Sequence, residues 1–225
     1  MKDSCAFQKG EKGNPILMIF KEPGAAEVLD GHPVADVTGR NLMHLLFLLQ
    51  KSRLGKRYSG HLRYHALTIL NVLPKPVFTK SERMLGVNDV DWKDITERWQ
   101  KLAGLVVGDS RKTLVICCGH TAEDFYRKCM QNRPEVDRIV ITICHLGMKG
   151  MNKTISLGGG NVVAPTYQRL LTIAEYIDFS VRKGGCNAWE DFVSYLKGHP
   201  RQRIDASGYK KRMDDYLIML EGGCE

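Results

Sequence analysis

The chain has 225 residues, 43% of them hydrophobic and 26% charged, with a formal net charge of +8. That length suits one domain with a sizeable core, and the composition is ordinary for a globular protein. No apolar run approaches the roughly 18 residues a membrane span needs, and the polar start Met1-Lys2-Asp3-Ser4-Cys5 carries no signal-peptide pattern. The basic balance favours a polyanion, nucleic acid ahead of an anionic membrane surface, although a merely basic enzyme has the same balance. The seven cysteines are odd in number and form no C-x-x-C. They read as reduced thiols in a cytoplasmic protein, without the spacing of a metal site.

Ile16–Phe20 is an apolar run that ends in Lys21-Glu22-Pro23-Gly24. Similar runs follow at Ala66–Leu73, Thr113–Cys118 and Arg138–Cys144. They are rich in Val, Ile and Leu and do not alternate, which predicts parallel strands buried on both faces. Helical patterns lie between them: Thr38–Gln50 with Thr38 as cap, Asp91–Leu105 with Trp92 and Trp99, and Thr121–Met130. The C-terminal third reads as helices over Pro165–Val181, closed by Gly184-Gly185, then Ala188–Leu196 and Tyr209–Leu220. Met148–Val163 is a long, glycine-rich loop. The alternation predicts an α/β fold, a three-layer α/β/α sandwich around a four-stranded parallel sheet. The whole chain is expected to be one domain, with its core over about 13–180 and a helical extension over about 184–225.

Each predicted strand ends in polar residues: Glu22, Asn71, Gly119-His120 and His145. In a parallel sheet these ends share one edge, where open α/β sheets bind ligands. An acid, an amide and two imidazoles could therefore meet in one pocket. Taken singly, Glu22 is equally a helix-entry acid, Asn71 a turn former and His145 a solvated loop histidine.

Together these residues resemble the uracil-DNA glycosylase superfamily. Phe20-Lys21-Glu22-Pro23-Gly24 stands where that family has Gly-Glu-Ala-Pro-Gly. Ala25-Ala26-Glu27, Gly31-His32-Pro33 and Gly39-Arg40-Asn41-Leu42 are similar in kind and spacing to its iron–sulfur branch. Thr68-Ile69-Leu70-Asn71-Val72 looks like the strand ending in the base-reading Asn, and His145-Leu146-Gly147 sits at the place of His-Pro-Ser. The likeness runs over about residues 13–180 and departs in places. Phe20 replaces the first glycine, the proline after the histidine is missing, and the four cluster cysteines are absent, so no cluster and no other cofactor is expected. The usual stacking aromatic corresponds to Val34, which argues for a base bulkier than uracil.

The resemblance implies a monofunctional DNA glycosylase that flips a base and hydrolyses its N-glycosidic bond. Glu22 would stabilise the oxocarbenium-like sugar or align water, His145 would meet the departing base, and Asn71 would pair with its edge. Lys21, Pro23, Gly24, His32, Val34, Asp36 and His120 would line the base pocket, with Asp36, Glu27 and His32 as second candidates for the acid–base work. A modified pyrimidine is the expected substrate, such as the hypermodified cytosine of phage DNA in an antiviral role. Uracil repair, a binding module without catalysis, and hydrolysis of free nucleosides are the alternatives.

The expected partner is double-stranded DNA, held through its backbone by a monomer. Met148 or Met151 would enter the minor groove as a wedge while Lys149 and Lys153 hold phosphates. Lys51, Arg53, Lys56 and Arg57, in a stretch free of acids, form a second candidate contact. Arg201–Arg212 is a weaker one, readable as a solvated face.

Overall fold

Ile16–Phe20 (β2) is buried at every position, because its side chains point alternately into two apolar layers. The computed structural model describes residues 4–73, 75, 113–130, 138–147, 151, 155–156, 161–162, 166–185 and 189–198. Its main sheet has five strands: Phe7–Gln8 (β1), β2, Thr68–Asn71 (β3), Thr113–Cys118 (β4) and Arg138–Ile143 (β5). They lie in the order β1-β3-β2-β4-β5. The four predicted strands are parallel. The four-stranded expectation is corrected by β1, which adds antiparallel to β3 with Phe7 opposite Leu70.

Ile16, Met18 and Phe20 face a large cluster built with two helices, Asp36–Lys51 (α2) and Thr166–Arg182 (α5). Leu17 and Ile19 face a smaller cluster with Phe7 and with Phe125 and Tyr126 of His120–Met130 (α4). Leu42, Leu45, Leu46 and Leu49 form the inner stripe of α2, as their spacing predicts. Burial of one such leucine contributes about 2 kcal/mol. The helix begins at Asp36 after Ala35, not at a Thr38 cap.

Two short helices, Ala25–Asp30 (α1) and Arg53–Arg57 (α3), flank α2, and Trp189–Gly198 (α6) packs aromatic residues on α5. Gly184 and Gly185, at φ 81° and 95°, end α5, a backbone state that glycine reaches without strain. Within the predicted glycine-rich loop, Ile155–Ser156 (β6) pairs antiparallel with Asn161–Val162 (β7). The helices expected at Asp91–Leu105 and Tyr209–Leu220, and the Arg201–Arg212 stretch, lie outside the described residues. No helix among the described residues is long and apolar enough to cross a membrane.

Candidate active site at the carboxyl edge of the sheet

The parallel ladder continues past β2. Val72 N–H donates to Phe20 O at 2.9 Å and Leu73 N–H to Lys21 O at 2.8 Å, which fixes the backbone leading into Glu22. Lys21 Nζ lies 3.6 Å from Glu22 Oε2, and the two side chains are only 21% and 25% exposed. Oε2 of Glu22 is buried and accepts no hydrogen bond among the described residues. A carboxylate oxygen left this way in a folded protein is a ready acceptor for a water or a ligand.

His145 follows β5 on the same edge. Its ring meets that of Phe20 edge to face at 5.8 Å between centroids. Burial, and then the charge of Lys21, hold its pKa below the ordinary histidine value. Gly147 N–H donates to Nδ1 of His145 at 2.9 Å. Nδ1 therefore carries a lone pair, and the neutral ring keeps its proton on Nε2 as a donor. The turn is tight: a Cβ at Gly147 would stand 2.9 Å from Nδ1 and 3.3 Å from Thr38 Oγ1.

Three further bonds pin this turn. Asn41 Nδ2 of α2 donates to Leu146 O at 2.7 Å. Met151 N–H donates to Gly147 O at 3.0 Å. The buried guanidinium of Arg169, on α5, donates to Met151 O at 2.7 Å.

The segment between Glu22 and α2 is organised by Glu27. This carboxylate is 6% exposed and accepts backbone N–H groups from Gly24 and Val34. Burial raises its pKa while N–H groups of Gly24, Val34 and Ala35 oppose the rise. Tyr64 Oη donates to Pro33 O at 2.6 Å, and burial, then Glu27 and Asp30, push its pKa up to about 12. Val34 is 1% exposed at φ 61°, and Asp36 stands at φ 50°. Positive φ is unusual for any residue other than glycine and most of all for a β-branched one. A Cβ at Gly39 would lie 2.4 Å from Val34 O, so the kinked loop can sit only on a glycine.

Glu22, Lys21, Pro23, Gly24 and His145 thus share one edge, with Val34 packed in the cluster that holds Phe20 and Leu146. The remaining candidates are placed less simply. Asn71 stands beside Phe20 in the ladder, but it is fully buried and its Nδ2 donates to Cys5 O at 2.8 Å. Its Oδ1 is buried with no hydrogen-bond partner among the described residues. His32 is exposed, with Nδ1 3.2 Å from Tyr64 Oη. Asp36 is exposed and pairs with Arg40 at 3.2 Å. His120 is 94% exposed on α4, across the sheet, with its Nδ1 3.9 Å from Glu123 Oε2.

The expectation for Met151 as a groove wedge is corrected. It is 2% exposed within the main cluster, so its side chain is core. Met148, Lys149 and Lys153 lie outside the described residues. Lys51, Arg53, Lys56 and Arg57 are exposed, with Lys51 over the Phe47 ring at 5.3 Å and Arg57 over Tyr58 at 5.6 Å. They sit at or beyond the far end of the 16-residue α2 from Thr38 and the His145 turn, with Lys51 about 20 Å away along the helix.

Sequence reasoning passed over Arg169, Asn41 and Tyr64, whose partners here are mostly backbone carbonyls and leave no pattern in the sequence. Glu27 had a signal: Gly24-x-x-Glu27 has the spacing of half a capping box. Among the described residues no group of three or more His, Cys, Asp or Glu could hold a metal ion. Compared with models of known protein families and with curated protein sequences, the chain has no match.

Proposed function

We propose that this protein is a monofunctional DNA glycosylase of the uracil-DNA glycosylase type, acting on a modified pyrimidine. One observation carries the reading. A buried carboxylate oxygen of Glu22, without a hydrogen-bond partner among the described residues, stands on the same sheet edge as a neutral His145 with its proton on Nε2. Cleavage of a glycosidic bond needs both. Positive charge grows on the sugar as the bond to the base breaks, and a carboxylate stabilises it or orients the attacking water. Negative charge grows on the departing base, and a neutral imidazole N–H donates to it without first losing its own proton. Lys21 is engaged with Glu22, which leaves it poorly disposed to form a Schiff base. The finer fold assignment, an α/β/α sandwich of that superfamily, belongs to the same proposal.

The net charge of +8 supports DNA as the substrate over a free nucleoside. Val34 in the place of a stacking ring supports a bulkier base than uracil, and hypermodified cytosine of phage DNA is the substrate class we favour. Strand scission at abasic sites by mild alkali tests this on plain, uracil-containing and glucosylated hydroxymethylcytosine DNA. Scission of the modified DNA alone is expected, with Glu22→Gln lowering the rate by about 10²–10³-fold. Scission of uracil DNA alone would return the protein to ordinary repair.

A second reading, a DNA-binding module without catalysis, is favoured by Asn71. Its amide nitrogen is already bonded to Cys5 O and is not free to read a base in this conformation. DNA binding with no scission of any of the three DNAs, unchanged in Glu22→Gln, would favour it.

A further inference from the structure

Glu27 is buried far more thoroughly than a helix cap requires. Capping α1 takes one oxygen, the one that accepts the Gly24 N–H, and an exposed carboxylate serves that purpose. Here the second oxygen is also used, by the N–H of Val34 seven residues on. The group is held by the backbone donors of Gly24 and Val34. A carboxylate taken out of water in this way is costly unless its hydrogen bonds do something for the fold.

The two segments it joins are the two that border the candidate site. Gly24 is two residues beyond Glu22, in the turn that aims its carboxylate. Val34 holds a left-handed conformation that a β-branched residue does not choose alone. Tyr64 on Pro33 and the close approach of Val34 O to Gly39 fix the same loop from the other side.

We propose that Glu27 is a positioning residue: one buried carboxylate ties the Glu22-Pro23-Gly24 turn to the kinked 33–35 loop and so sets the place of the candidate catalytic carboxylate. The role rests on the glycosylase reading above. Glu27 touches no reacting atom. It acts through the backbone on either side of the pocket, and an amide in its place can accept at one oxygen only.

The test uses the full chain as Glu27→Gln, with two readouts. The first is amide hydrogen exchange resolved at Gly24 and Val34. The second is single-turnover base excision beside DNA affinity, on whichever DNA the wild type cleaves. The expected result is exchange faster by about tenfold at one or both of those amides, with core amides of β2 and β4 unchanged. Excision should slow by about 10²-fold while the Kd for DNA stays within about twofold. Should Glu27→Gln fail to fold, Gly24→Pro keeps the φ of −80° that proline adopts while replacing the turn's N–H by a Cδ that displaces the Glu27 oxygen, and the same split between rate and affinity is expected. Unchanged exchange at Gly24 and Val34 would overturn the clamp. Faster exchange with an undiminished excision rate would overturn its positioning role. A wild type that excises nothing would sink the glycosylase reading and this role with it, whereas the exchange data would still show whether the carboxylate joins the two segments.

Discussion

The N–H of Gly147 and Nδ1 of His145 form a 2.9 Å hydrogen bond that only an unprotonated Nδ1 can accept. The neutral imidazole is thus built into the turn, and burial and Lys21 act in the same direction. A histidine whose folded pKa lies below its unfolded value of 6.5 leaves stability intact above that value. Stability is lost as pH falls from 6.5 toward the depressed pKa. Denaturant midpoints should therefore be flat from pH 7 to 8 and drop below pH 6.5, and His145→Gln should remove part of that drop. An NMR titration of the His145 ring should give a midpoint below 6.5.

Asn71 is expected to govern stability as well as chemistry. Its Nδ2 holds Cys5 O and its N–H holds Ala6 O, so it binds the β1 segment to the sheet edge. Asn71→Ala should cost about 0.5–1.5 kcal/mol by removing the donor to the half-buried Cys5 O. Urea denaturation followed by circular dichroism gives the value, and a loss under about 0.5 kcal/mol would contradict this account.

Arg169 offers a different prediction, because its guanidinium reaches the His145 turn through Met151 O and the Met151–Gly147 bond. Arg169→Met keeps the stem and removes the donor. We expect a loss of about 2–4 kcal/mol in stability, with movement of the His145 ring signals in NMR. Ring signals that stay in place would show that the turn does not depend on α5.

Lys51, which leads into Arg53, Lys56 and Arg57 of α3, stands about 20 Å along α2 from Thr38 at the His145 turn, which is about six base pairs of duplex. If this stretch contacts phosphates, each charge removed should lower the slope of log K against log salt by about one. Binding isotherms of the Lys56→Gln/Arg57→Gln variant at several salt concentrations measure this. An unchanged slope would leave the stretch as a solvated face.

Strands buried on both faces were the most legible part of the chain, since Ile16–Phe20 and Thr113–Cys118 are continuous apolar runs, whereas Arg138–Ile143, expected to be the same, lies at the sheet border and fully buries only Ile139, Ile141 and Ile143. Thr68–Asn71 was legible too, with ends a few residues too generous. Phe7–Gln8 was not: two residues carry no period, and its partner is 63 residues away in the ladder at Leu70. Helix α1 escaped because it turns Val28 and Leu29 outward, at 46% and 87% exposure, against the amphipathic rule. The start of α2 was misjudged because the chain enters it through positive φ at Val34 and Asp36, a backbone state that side-chain identity does not announce. For the site, Glu22 and His145 were readable as polar ends of apolar strands. The half of the Glu27 clamp at Gly24 had its capping-box spacing, but its reach to Val34 and the pin at Arg169 were not readable, because their partners are peptide groups common to every residue.

The short strand at Phe7–Gln8 also has a consequence for biosynthesis. It closes the β3 border of the sheet, yet it can pair only after Leu70 has left the ribosome. Until then the nascent chain holds a segment whose strand partner is still unmade, and β3, once formed, offers an open row of peptide groups to any neighbouring chain. Sealing that row joins segments far apart in the chain, both of them made before β4 and β5. Yield on expression should consequently be governed by how long the border stays open, and crowded polysomes are where this chain is most exposed to strand exchange with its own copies.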